Sequence, residues 1–331
     1  MRAVRMLRAL AWRLVVVPLL LGMVSLAGGG LSPLNEQAVI AAYAKAAKAV
    51  GIALGGEKPT VSKPDERMSG GGAIVGSVRK VHSPQLTVDV DAYSGKIVRV
   101  RNETASENSY ARAETAREQG KGVGPTRSLK SVIDAAENYC RALGQNLTPD
   151  VGLRIMEFDD KRGCWYLAWV RRVNGYLFDE ECIGLDIDDQ TGELAHYINR
   201  VTEITCGTEV RVPKDKARAI ARDQVSRILP ALVSNQSFEF EEDQEPKLCI
   251  VYQNDAMRRL ELGTDLMRRF KAMPPPDQLP PPPEQLPPRA RLVYAIRFEF
   301  SYVGKQRVHV GRGPVTVWVD AASGEVGGGI M

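Results

Sequence analysis

Three stretches of the chain alternate apolar and polar positions and then break off at the same short text. LTVDVDAYSGKIVRV begins at Leu86, IGLDIDDQTGELAHY at Ile183 and VTVWVDAASGEVGGG at Val315. Val88 and Val90, Leu185 and Ile187, and Val317 and Val319 fall at period two, the pattern of a strand with one buried face. Each run then reads Asp-x-x-Ser/Thr-Gly, from Asp91 to Gly95, Asp188 to Gly192 and Asp320 to Gly324. The aspartate can accept from the backbone N–H groups ahead of it, and the glycine supplies the positive φ that closes a short loop. Each text therefore predicts a strand, a tight turn and a returning strand. Composition predicts about 0.2 chance copies of this pattern in such a chain, so three copies in matching contexts read as a repeat.

An alanine-rich segment with helical spacing precedes each hairpin. NEQAVIAAYAKAAKAVGI follows Ser32 and Pro33, SLKSVIDAAENYCRALG starts near Ser128, and PKDKARAIARDQVSRIL starts at Pro213. Val132, Ala136, Tyr139, Cys140 and Leu143 fall on one face of the second segment, a stripe suited to lie across a sheet. Within that unit GLRIMEF and CWYLAWVRRV precede Asn174-Gly175, the strongest short hairpin signal in sequence. The expected fold class is α+β: three repeated units, each one helix on an antiparallel sheet of about four strands. The units fall at 32–104, 127–203 and 211–331, with 105–126 as a linker. Asp188 follows Asp91 by 97 residues and Asp320 follows Asp188 by 132. The surplus matches an insertion at 254–290, a basic segment and then PPPDQLP followed by PPPEQLP, whose proline density favours polyproline II over a helix or inner strand.

The first 27 residues stand apart. Arg2, Arg5, Arg8 and Arg13 form a basic region, and Leu14 to Ala27 is a 14-residue apolar run. That is shorter than the ~20 residues of a membrane span, and Ser25 and Ala27 provide small residues for cleavage. A signal peptide at 1–27 is expected, giving a secreted or periplasmic protein with no stable membrane insertion. The charge picture changes with it: those four arginines account for the whole excess of 44 basic over 40 acidic residues. A near-neutral mature chain offers no electrostatic footprint for nucleic acid.

All five cysteines lie in the part expected to be exported. A two-residue turn at Asn174-Gly175 sets Val173 opposite Tyr176, hence Cys182 opposite Leu167 and Cys164 opposite Leu185. That is too far out of register for a disulfide between Cys164 and Cys182, unless a bulge shifts the ladder.

The texts KARAIARDQV, VRRVNGYLF and IGLDIDDQTGEL resemble the PepSY domain family, the propeptide-like modules related to those of thermolysin-type metallopeptidases. Arg171 and Arg172 stand where that family carries arginine before Val-Asn-Gly; the third unit reads IRFEFSYVGKQRV, with Gly304 but no Asn-Gly. The resemblance implies an exported binding protein, an inhibitor or regulator whose partner is a secreted peptidase or another envelope protein. An envelope scaffold using the proline-rich insertion is the alternative. No enzyme is expected. HExxH and GxSxG are absent, His82, His196 and His309 form no zinc spacing, and GKGVGP lacks the P-loop lysine. The pairs Asp159/Asp160 and Asp188/Asp189 read as solvated turns. Catalytic, metal and cofactor sites are thus expected to be none, and the residues singled out are those of turns: Asp91, Gly95, Asn174, Gly175, Asp188, Gly192, Asp320 and Gly324.

Expressed in a bacterium, the chain should be recovered outside the cytoplasm with its new N-terminus near Gly28. Full-length protein that stays in the membrane through carbonate extraction would make Leu14 to Ala27 an anchor instead.

Overall fold

Among the described residues, three of the four helices begin at a side chain that accepts a backbone N–H the helix itself leaves unpaired. Asn35 accepts from Ala38 at 2.9 Å to start α1 (Glu36–Ala49). Asn102 accepts from Ala105 at 3.1 Å to start α2 (Glu103–Glu118). Ser128 accepts from Ser131 at 3.2 Å to start α3 (Leu129–Ala142). The fourth, α4 (Lys214–Leu232), follows Pro213, whose carbonyl accepts from Ala217. The computed structural model describes residues 32–55, 58–68, 74–232, 237–254, 256–257, 260, 289–303 and 309–330. The signal segment, Gly304, the proline tandem and the basic segment other than 256–257 and 260 lie outside them.

Helix α2 occupies much of the stretch read as a linker at 105–126. Its buried positions Ala105, Ser109 and Ala113 are small and spaced by four, so they give a narrow contact stripe without the bulky apolar residues that mark a helix in sequence. Only the stretch after Gln119 runs on without helix before α3.

The strands are β1 (Thr60–Val61), β2 (Asp65–Met68), β3 (Ile74–His82), β4 (Leu86–Asp91), β5 (Ile97–Asn102), β6 (Val151–Asp159), β7 (Cys164–Val173), β8 (Tyr176–Asp188) and β9 (Leu194–Asn199), then β10 (Ser237–Glu242), β11 (Lys247–Tyr252), β12 (Ala290–Val303), β13 (His309–Asp320) and β14 (Val326–Ile330). They do not form separate sheets. Strands β5 and β9, the return strands of two hairpins, pair antiparallel through Arg99–Ile198, Val100–Tyr197 and Arg101–His196. Strand β8 meets β11 in parallel at Phe178–Ile250. All fourteen strands are thereby joined, in the main order β1-β3-β4-β5-β9-β8-β11-β12-β13-β14 with β2, β6, β7 and β10 branching from it. Pairing the two return strands satisfies backbone groups that two free edges would leave open.

The cores follow the same fusion. Val39, Tyr43 and Ala46 of α1 share one core with Val132, Ala136 and Cys140 of α3, over Val88, Val100, Leu167, Leu185 and Tyr197. Ala217, Ala221, Val225 and Ile228 of α4 cover a second, over Ile250, Leu292, Ile296 and Val317, which also takes Met257. Each fully buried Val, Leu or Ile contributes about 1.5–3 kcal/mol, so neither core depends on a single contact.

The β7–β8 ladder departs from simple hairpin register. Val173 faces Tyr176 and Arg171 faces Phe178, but the next pair is Val170–Cys182, and Cys164 faces Asp188. Residues 179–181 of β8 bulge out, which shifts both cysteines from the positions simple counting gives. All five cysteines are free thiols.

Gly192 holds φ +76°, and a Cβ there would stand 2.9 Å from the Arg127 guanidinium carbon. The Arg127 guanidinium is the end of a flexible side chain and can swing aside, so Gly192→Val should lower stability by the ~1–3 kcal/mol of backbone strain. A thermal or urea melt indistinguishable from the parent would contradict the turn geometry.

Candidate functional site

The three Asp-x-x-Ser/Thr-Gly turns share one pattern of backbone hydrogen bonds. One carboxylate oxygen, Oδ1, accepts from the second and third residues ahead: Tyr93 and Ser94 on Asp91 at 3.2 and 2.9 Å, Gln190 and Thr191 on Asp188 at 2.9 and 2.7 Å, Ala322 and Ser323 on Asp320 at 2.9 and 2.7 Å. Gly95, Gly192 and Gly324, at φ +75°, +76° and +80°, donate to the aspartate carbonyls at 3.1, 2.9 and 2.9 Å. The other oxygen of Asp188 takes Arg112 of α2 and that of Asp320 takes Arg291. Asn174 and Gly175 hold φ +51° and +87° in the β7–β8 turn. These residues sit on four separate turns and form no common site.

Each Asp-x-x-Ser/Thr-Gly turn also receives the segment leading to a helix. Leu34 N–H donates to Ala92 O at 2.7 Å, and Val212 N–H to Ala321 O at 2.9 Å. In the middle turn Asp189 does this with its side chain, accepting from Thr126 N at 2.7 Å, Arg127 N at 3.1 Å and Trp165 Nε1 at 2.9 Å. Burial alone would raise its carboxyl, but bonds from Thr126, Arg127 and Trp165 outweigh that and hold it low. Asp188 and Asp189 are thus not the solvated pair expected: both are buried, one bracing its turn against α2 and the other holding the approach to α3. Asp159 does cap a turn, accepting from Lys161 N and Arg162 N.

The bulge in β8 carries a buried ionic network. Glu181 is fully buried and Arg171 is 8% exposed. Arg171 Nη1 stands 2.5 Å from Glu181 Oε2 and 2.9 Å from the carbonyls of Thr202 and Ile204. Glu181 Oε1 accepts from the Thr202 hydroxyl and from the Tyr252 hydroxyl of β11. Burial, and then the Glu181 carboxylate beside it, push the Tyr252 phenol above its ordinary range. Lys96, in the return of the first hairpin, donates to Val201 O at 2.7 Å. One carboxylate of β8 thus gathers groups from β7 and β11 and from the chain after β9.

A cleft of about 310 Å³ opens beside this network. Leu86, Val88 and Val90 of β4 enter the core under α1 and α3, so Asp89, which alternates with them, points to the other face. There it lines the cleft with Arg67, Lys80, Arg99, Arg200, Glu180 and Tyr252. Asp89 Oδ2 pairs with Arg99 at 2.7 Å, while Asp89 Oδ1 and Arg67 Nε are buried with no hydrogen-bond partner among the described residues. Burial raises the Asp89 carboxyl against the opposing pull of Arg99 and Lys80. None of these residues stood out in sequence, because a charged residue alternating with valine is also what a plain solvent face looks like.

Burial raises all five thiols, Cys140 and Cys249 to about 12 and Cys164 to about 11. Burial, aided by Arg99 and Arg162, lowers His196 to about 4, so it stays neutral beside Asp186. Among the described residues no three His, Cys, Asp or Glu side chains cluster as metal ligands, and no helix is long and apolar enough to cross a membrane.

No protein-family model matches the chain, and no curated protein matches it. Among solved structures, the chain is similar to the Bacillus megaterium YpeB C-terminal domain, with a TM-score of 0.37 and 9% identity over 90% of this chain and 98% of that one.

Arg171→Met should cost about 3–5 kcal/mol by leaving Glu181 buried and unpaired, and adding Glu181→Leu should recover most of it. Urea titration of the two variants checks this; a loss below about 1 kcal/mol in the single variant would mean the pair carries no such constraint.

Proposed function

We propose that the chain is an exported, non-catalytic protein of the PepSY type, built on three copies of one helix-and-hairpin unit, which binds a co-exported peptidase through the cleft on the second face of its sheet. The observation that carries this is the cleft itself: about 310 Å³, lined by four acids and four bases, with a buried carboxylate oxygen that has no hydrogen-bond partner among the described residues. A sheet face kept only for solvent has no use for a desolvated, unpartnered acceptor. Export is supported by the basic start and the apolar run that follows it. The repeat is supported by the three turns of identical bonding, and the peptidase partner by the resemblance of KARAIARDQV, VRRVNGYLF and IGLDIDDQTGEL.

Lys80 and Arg200 are exposed cleft residues, so the pair Lys80→Glu and Arg200→Glu should leave the fold intact. Mature protein should capture a peptidase from secreted extract of its own cells and change its activity while hydrolysing nothing itself. The double variant should lose that capture, and deletion of residues 274–288 should keep it. Capture lost on the deletion and kept in the double variant would move the contact to the proline tandem and the role to scaffolding.

A further inference from the structure

Within the cleft, Asp89 and Arg67 form an unsatisfied acceptor and an unsatisfied donor. The Asp89 side chain is 10% exposed; Oδ2 is held by Arg99, and Oδ1 has no donor among the described residues. A buried acceptor left in this state has lost its hydration without compensation, and a donor arriving with a ligand restores the missing bond. Arg67 Nε is the matching orphan donor. A Cβ at Gly76 would lie 3.5 Å from that nitrogen and 3.6 Å from Asp91 Oδ2. The Arg67 guanidinium thus lies over Gly76 on the Asp91 side of β3. Asp91 is two residues from Asp89 along β4, about 7 Å in an extended strand.

The charge around these two groups is balanced. Asp65, Glu66 and Glu180 stand against Lys80, Arg99 and Arg200, which favours a ligand carrying both a donor cation and an acceptor over a plain anion or polycation. An extended peptide advances about 3.3–3.6 Å per residue, so about 7 Å separates groups two residues apart. The cleft volume lies at the small end of ligand sites, room for a few residues of chain.

We propose that the cleft takes a short extended peptide segment, placing a primary ammonium on Asp89 Oδ1 and a peptide carbonyl or carboxylate oxygen on Arg67 Nε. This deepens the reading of the cleft as a partner site and rests on it. The ammonium is supplied by a free amino terminus or by a lysine side chain, two sources of one chemistry.

Calorimetric titration of the mature chain tests this with three probes: tetra-alanine amide, N-acetyl-tetra-alanine amide and N-acetyl-Ala-Lys-Ala amide. Binding of the first with at least about tenfold loss on acetylation assigns the ammonium to an amino terminus; binding of the third in its place assigns it to lysine. Either result supports the inference, provided Asp89→Asn and Arg67→Met each weaken the bound probe about tenfold without changing the melting temperature. Binding of all three probes alike, or of none, overturns it. Peptidase capture that persists in Asp89→Asn also overturns the peptide mode and leaves the partner reading standing. Peptide binding without any capture would remove the partner and keep the ligand class.

Discussion

A carboxylate with no access to water must be compensated where it stands, and Glu181 meets that requirement by drawing on most of the molecule. Its oxygens are filled by Arg171 from β7, Thr202 from the chain after β9 and Tyr252 from β11. Removing any one partner leaves a buried charge short of its bonds, which costs several kcal/mol, whereas replacing the whole set with apolar residues need not. The network is therefore weak as a source of stability and strong as a constraint on arrangement: strands that fail to reach Glu181 together leave it unsatisfied.

The bulge that places Glu181 is also what lets one strand serve two neighbourhoods. Above residues 179–181, β8 pairs with β7 and β9; below them, Phe178 bridges to Ile250 of β11. A regular ladder through 179–181 would turn successive side chains to opposite faces and could not present both Glu180 and Glu181 toward the β11 side. Glu180 accepts from Tyr252 N at 3.0 Å and lines the cleft. The constraint that joins the sheet thus also builds one wall of the proposed site.

Much of the scaffold was legible because it follows local rules. Period-two apolar runs gave β4, β8 and β13, and alanine-rich stripes gave α1, α3 and α4, the elements behind the α+β class. What lay beyond sequence were features set by contacts distant along the chain. Helix α2 was missed because Ala105, Ser109 and Ala113 pack by being small rather than greasy. The bulge was missed because Asn174-Gly175 fixes register only until something interrupts it, and FDEEC carries no glycine or proline to announce the interruption. Asp189 was misread because its donors Thr126 and Arg127 lie more than sixty residues away. The cleft was hidden for the same reason. Arg67, Asp89, Arg200 and Tyr252 meet only after β5 has paired with β9 and β8 with β11.

The central claim is that Glu181 couples the α1–α3 core to the α4 core across the β8–β11 junction. Native-state amide exchange, followed residue by residue in the parent and in Glu181→Gln, tests it directly. Coupling predicts that the parent opens β4, β8 and β12 with one common free energy, and that the variant separates them, with β11 and β12 exchanging earlier than β4 and β8. A variant whose strands all lose protection equally, or lose none, would show that the two cores are joined by something other than this carboxylate.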